Sequence, residues 1–183
     1  MISRLTYVWV GILTGWLAFA LAGWWAAPGT AVTIGLVAGL AVGGLFRRSM
    51  VVGAFVAILE PVGCALPFLA LRHIAPSVGV DIVPFSTIEI GVFLVTYIGF
   101  LSASLGAIRL DPYRLGYRPW PVALVALGLV ALGGVTGNLF YPLVAVCGQA
   151  LWLLRLGSSN YFDHILHAVL VPVAIVELVS RLV

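Results

Sequence analysis

The chain has 183 residues and a mass of 19.4 kDa, with nine basic and six acidic side chains; charged types make up 8% of it and hydrophobic types 63%. A soluble domain carries about 25% charged residues, and so few charges cannot cover a water-exposed surface. A soluble globular protein is therefore excluded. The expected fold class is all-α: a polytopic integral membrane helix bundle with short loops, one domain over 1–183 and no soluble domain.

Every base is arginine, so a lysine Schiff base and a lysine-dependent P-loop are both ruled out. The pI of 9.2 does not point to nucleic acid, because the arginines are scattered along the chain rather than gathered in a patch. The expected environment is the lipid bilayer.

Taken in order, no charge falls between Arg4 and Arg47. A single helix over that stretch would be about 63 Å long, twice the hydrocarbon core of about 30 Å. The chain must fold back, and Ala27-Pro28-Gly29-Thr30 is the turn. Helices are predicted over 7–27 and 29–46. The first apolar run is longer than that of a signal peptide and is followed at once by further spans, so it reads as a retained span. A third helix is expected over 50–71 and a fourth over 87–108. From Pro119 to Leu154 the chain is again uncharged, about 54 Å if straight. Gly133-Gly134 and Gly137-Asn138 favour a turn there, giving spans over 121–137 and 140–155 rather than one tilted helix. A last helix is predicted over 163–182. The count is seven, with six as the alternative.

Arg4, Arg47, Arg48, Arg109, Arg114 and Arg118 fall on one side in either count. The positive-inside rule makes that side cytoplasmic, so the expectation is a multi-pass cell-membrane protein with a cytoplasmic N-terminus. Seven spans put Arg155 with this group and Arg181 opposite; six exchange the two.

Small residues recur every fourth position at Gly11 and Gly15, at Ala18 and Ala22, and at Gly35, Gly39 and Gly43. Such ridges let helix backbones approach closely. They serve packing within the chain or contact with a partner subunit or a second copy. Cys64 and Cys147 have no CxxC spacing and read as small buried hydrophobes.

The few polar groups inside apolar runs carry the functional expectations. Glu60 falls near the middle of the third helix, where an acid costs about 2.5–3.5 kcal/mol on insertion scales. It must face a partner or water, or be protonated. Pro61 and Pro67 follow, and each withholds a donor from the helix, so a polar site at a broken helix is expected. Glu89 sits one turn into the fourth helix, where an acid caps the start or reaches for the surface. On the last helix Asp163, His167 and Glu177 share a face with Leu170 and Ala174, interrupted by Pro172, a proton or cation path. His164 and His167, with Asp163, also have the spacing to hold a divalent metal; His73 joins them only if six spans bring the loop at 156–162 to its side. Asn138 and Gln149 read as turn or interhelical amides. There is no Gly-x-Ser-x-Gly, His-Glu-x-x-His or paired catalytic carboxylate. The leading expectation is a protein that binds or moves a small solute, ion or proton, with Glu60, Asp163, His167, Glu177 and Glu89 as its site. An intramembrane enzyme acting on a lipid or isoprenoid and a structural subunit of a larger complex are the alternatives.

Overall fold

A computed structural model describes residues 4–60 and 63–182. Among these residues the chain is all-helical. Nine α-helices follow one another: α1 (Arg4–Ala22), α2 (Pro28–Leu40), α3 (Met50–Leu59), α4 (Ala65–Ile74), α5 (Thr87–Ser104), α6 (Pro119–Thr136), α7 (Phe140–Leu153), α8 (Tyr161–Ile165) and α9 (Leu170–Ser180). Among the described residues four segments are long and apolar enough to cross a membrane: Leu5–Ala22, Pro28–Leu45, Thr87–Ser104 and Pro119–Thr136. Large apolar side chains such as Leu40, Val95, Leu127 and Val135 point outward on them. That exposure suits lipid and would be untenable over such an area in water.

The first two helices form a hairpin. Ala27 is extended because the residue before a proline is pushed out of the α region, and Pro28 then opens α2 at a position that needs no N–H. Gly35 and Gly39 of α2, with Gly43 just beyond it, face Gly11 and Gly15 of α1. A Cβ on Gly39 would lie 2.8 Å from the Gly11 carbonyl, one on Gly15 2.8 Å from that of Gly35, and one on Gly43 3.1 Å from that of Tyr7. The glycine ridges are thus packed on each other within the chain, with Phe19, Ala22 and Ala31 continuing the seam. Past Leu40, α2 widens into a π-turn over Ala41–Leu45, where the Phe46 N–H reaches back to the Ala41 carbonyl at 2.8 Å.

The two helices expected between 119 and 155 are found as α6 and α7. They turn at Gly137, whose φ of 68° is left-handed, as expected from Gly137-Asn138 and against a single long helix. Gly133 admits the ring of Pro142, which fixes the hairpin.

Two expected helices are interrupted, the third in keeping with the broken helix that its prolines predict. The third splits between Leu59 and Ala65; Pro61 lies outside the described residues. The last, expected as one helix over 163–182 with an interruption at Pro172, instead ends as α8 at Ile165 and restarts as α9 at Leu170. Leu166 is extended, with φ −107° and ψ 155°. Pro67 and Pro172 each occupy the third position of the second segment. There a missing N–H costs no intrahelical bond, so both prolines mark where a helix begins again.

The core sits where these interruptions meet. Cys64, Ala65, Leu66, Tyr97, Val122, Val144, Leu151, Tyr161, Ile165 and Leu170 form one buried cluster with Trp9. Gly39→Ala should lower the thermal midpoint by an amount equivalent to about 1–3 kcal/mol, the usual cost of overpacking. Gly99→Ala, in a helix with open space at its Cβ, should be neutral or slightly stabilising. Melting of the two purified variants in one detergent checks the contrast.

Candidate functional site

Chain geometry at the two interruptions is the starting point. The Cys64 N–H donates to the His164 carbonyl at 2.8 Å. A Cβ on Gly63 would collide with the carbonyl groups of Ile165 and Leu166. The two broken helices therefore touch backbone to backbone at their breaks, and only glycine permits that distance. Each break also leaves helix-end donors and acceptors without partners in their own helix. The Cys64–His164 bond satisfies one of each across the contact.

Beside this crossing lies a cavity of about 180 Å³ lined by α4, α5, α6, α7 and α9. Leu69, Phe93, Leu129, Val144, Leu170 and Val173 make most of its wall, and Ile165 and Leu166 bring the α8–α9 break to it. Its polar groups are Glu89, Tyr141 and Glu177. Two acids singled out from sequence, Glu89 and Glu177, are thus brought to one cavity by the packing of α5 on α9.

Glu89 closes a capping box. The Ser86 N–H donates to its Oε2 at 2.6 Å, and its own N–H donates to the Ser86 hydroxyl at 3.1 Å, which satisfies two helix-start donors reciprocally. Its other oxygen accepts the Tyr141 hydroxyl at 2.8 Å. Capping, one of the roles expected of Glu89, is the one its geometry shows. Behind it Arg72 donates to the Asn138 side-chain oxygen at 3.1 Å and to the Val83 carbonyl, with its guanidinium 4.2 Å from the centre of the Phe85 ring. Arg181 pairs with Glu177 at 2.7 Å and donates to the Phe85 carbonyl at 2.8 Å.

At the other end of α5 and α7 a second polar cluster joins the turn Pro112–Tyr117 to the segment before α8. The Tyr113 hydroxyl donates to both oxygens of Asp163, at 2.9 and 2.8 Å, and the Ser158 hydroxyl reaches Asp163 Oδ2 at 2.5 Å. The amide of Asn160, fully buried, donates to the Tyr113 carbonyl at 2.8 Å and accepts from the Phe162 N–H at 2.9 Å, capping α8. Burial raises the Tyr113 pKa, and the bonded Asp163 carboxylate raises it further. The phenol therefore stays protonated at alkaline pH where a free tyrosine begins to ionise, about 10.

The continuous face of Asp163, His167 and Glu177 does not exist, because the helix that would carry it is broken between Ile165 and Leu170. Asp163 is tied to the Tyr113 cluster, while Glu177 lies at the cavity on α9. The residues read as metal ligands are dispersed as well. His164 is bonded through Nε2 to the Ser158 carbonyl at 2.9 Å, and His167 Nδ1 accepts from the Val169 N–H at 3.2 Å. His73 Nδ1 accepts from the Trp16 indole at 2.9 Å, against α1. Among the described residues no three His, Cys, Asp or Glu side chains come together as an ion-binding group. Glu60 ends α3 in extended conformation, φ −81° and ψ 134°, and is exposed. The expected buried carboxyl inside a helix is thus replaced by an exposed one at a helix end. It does not line the cavity.

Sequence reasoning passed over Tyr113, Tyr141 and Arg72. Ser86-x-x-Glu89 is a capping-box spacing that was readable, but the tyrosines arrive from distant segments with no local signal. Compared with known proteins, the chain matches no family model, no curated protein and no solved structure.

Tyr113→Phe removes the one donor among the described residues that reaches both Asp163 oxygens and should cost about 1.5–3 kcal/mol, the range for a hydrogen bond to a charged group. The raised pKa sets the sign of the pH effect. The bond's contribution is fully present below the ordinary tyrosine value and is lost as pH rises through the higher folded value. The gap between wild type and Tyr113→Phe should therefore persist at pH 9 and narrow only at strongly alkaline pH, measured by thermal melting.

Proposed function

We propose that the chain crosses the cell membrane seven times and binds or moves a small solute beside the point where two interrupted helices cross. In this reading α3 with α4 form the third crossing and α8 with α9 the seventh, and the N-terminus is cytoplasmic. The side-chain contacts support that path. Tyr113 meets Asp163 and Asn160, which joins the loops before α6 and before α8 at one end. Arg181 meets Phe85 and Thr87, and Arg72 meets Asn138, at the other. Seven of the nine arginines then lie on the cytoplasmic side.

The observation that carries the functional reading is the backbone contact of Gly63 with Leu166 next to the cavity. Interrupted helices are costly in lipid, since freed backbone groups have no water to bond. Discontinuous helices meeting inside the bundle are a recurrent way of building solute sites in transporters. The wall of the cavity is apolar, which favours a solute with an apolar body over a bare ion or proton.

Two measurements test the proposal. With Cys64 and Cys147 both changed to alanine, impermeant maleimide should label Leu156→Cys and Arg109→Cys from the same side and Val80→Cys from the other. Labelling of Leu156→Cys together with Val80→Cys would establish six crossings. A site that loads and unloads must also open, and Cys64, fully buried at the crossing, reports on opening. In Cys147→Ala, Cys64 should react with N-ethylmaleimide in the folded protein, more slowly than in the denatured chain but to completion. A Cys64 that stays unmodified until denaturation would rule out the solute-handling reading and leave a rigid subunit of a larger complex.

A further inference from the structure

We propose that Cys64 and Cys147 form a two-electron redox site within the membrane, a dithiol that closes to a disulfide as it passes two electrons and two protons to a lipid-soluble quinone. This goes beyond solute handling and does not depend on it.

Far apart in sequence, the two cysteines are brought together where the broken helices cross. Cys64 is fully buried just before α4, and its thiol donates to the Val144 carbonyl of α7 at 3.7 Å. Cys147 follows Val144 by three residues, so it shares that face of α7 and packs against the same buried cluster. The two thiols hydrogen-bond each other, and the Gly148 N–H also faces the Cys64 sulfur. Gly148 lets α8 seat behind the pair: a Cβ there would collide with the Ile165 side chain and lie 3.2 Å from the Tyr161 ring. Both cysteines are free thiols, and a disulfide would bring two sulfurs already in contact to about 2.05 Å.

The acceptor class follows from where the pair opens. Cys64 has no exposed surface, whereas Cys147 is half-buried. Leu143 and Ala150, one turn before and one turn after it on the same face, are exposed and apolar. An oxidant therefore meets Cys147 first, from the hydrocarbon side, and Cys64 completes the bond from behind. A charged oxidant from water would lose its hydration on that approach without compensation. A quinone is neutral, dissolves in hydrocarbon and accepts two electrons with two protons. In the step both S–H bonds break and one S–S bond forms. The sulfurs lose two electrons and two protons, and each carbonyl oxygen of the quinone gains one of each, giving the quinol. Reactants and products are all neutral, which suits an apolar interior where an unpaired charge is costly.

The test uses the purified full chain in nanodiscs, reduced, freed of reductant and oxygen, and mixed with decylubiquinone. Denaturation in N-ethylmaleimide followed by mass spectrometry counts the thiols that remain. Both should be lost together with one quinol formed per chain, and peptide mapping should link Cys64 to Cys147 within a single chain. Ferricyanide, a charged oxidant confined to water, should leave both thiols free over the same interval. Cys64→Ala should keep Cys147 free and form no quinol; Cys64→Ser serves if the first variant melts early. Two thiols still free after quinone would overturn the proposal, even if copper-phenanthroline links them. Disulfides between chains would overturn the pairing, and equal oxidation by ferricyanide would overturn entry from the bilayer. Quinol formed by the folded Cys64 variant would overturn the two-thiol step. The maleimide test of opening is made in Cys147→Ala, where this pair does not exist, so the two proposals fail separately.

Discussion

Everything in the centre of this bundle depends on one close approach: the Gly63 backbone against the Leu166 carbonyl, with the Cys64 N–H bonded to the His164 carbonyl. In an apolar interior a broken helix is unstable unless its freed backbone groups find partners. Here two breaks supply partners to each other. The bond is short because position 63 has no side chain, and it stays away from solvent because Cys64, Ala65 and Ile165 are buried around it. Removing that approach would leave two breaks in apolar surroundings, each with unmet donors and acceptors at several kcal/mol apiece.

The periphery divides the remaining work. One polar group ties the starts of α5 and α7 to the ends of α4 and α9 through Glu89, Tyr141, Arg72 and Arg181. The other ties the turn at Pro112–Tyr117 to the start of α8 through Tyr113, Asp163, Ser158 and Asn160. The first combines backbone bonds and the Glu177–Arg181 ion pair with a tyrosine and an amide, and the second satisfies Asp163 with the neutral hydroxyls of Tyr113 and Ser158. Between these pinned ends the crossing of the two breaks carries no ion pair among the described residues.

Local signals in the sequence were faithful where the cause was local. The hairpin turn at Ala27-Pro28, the left-handed turn at Gly137, the glycine ridges and the Ser86–Glu89 box all follow from residues within one turn of one another. Long-range causes were not legible. Pro172 reads as a kink inside the last helix, yet it sits in the first turn of a new one, because the true break is set by Gly63 and Cys64 on a distant segment. Asp163, His167 and Glu177 share a face only on an ideal continuous helix, so that break also dissolved the expected path. Glu60 was placed by depth along a helix that ends just before it. Glu89 and Glu177 were recognisable as polar groups needing partners, but the cavity they share is a product of packing between α4, α5, α6, α7 and α9.

The π-turn over Ala41–Leu45 has an angular consequence for the hairpin of α1 and α2. Glycines four residues apart on an α-helix advance by about 400°, overshooting a full turn by about 40° at each repeat. By the third glycine such a stripe would have rotated well away from its partner. Winding with bonds to the fifth residue puts more residues in each turn and lowers the advance per residue, which draws Gly43 back over Tyr7 and Gly11. The five-residue turn is thus the phase correction that keeps a four-residue repeat aligned with a straight neighbour.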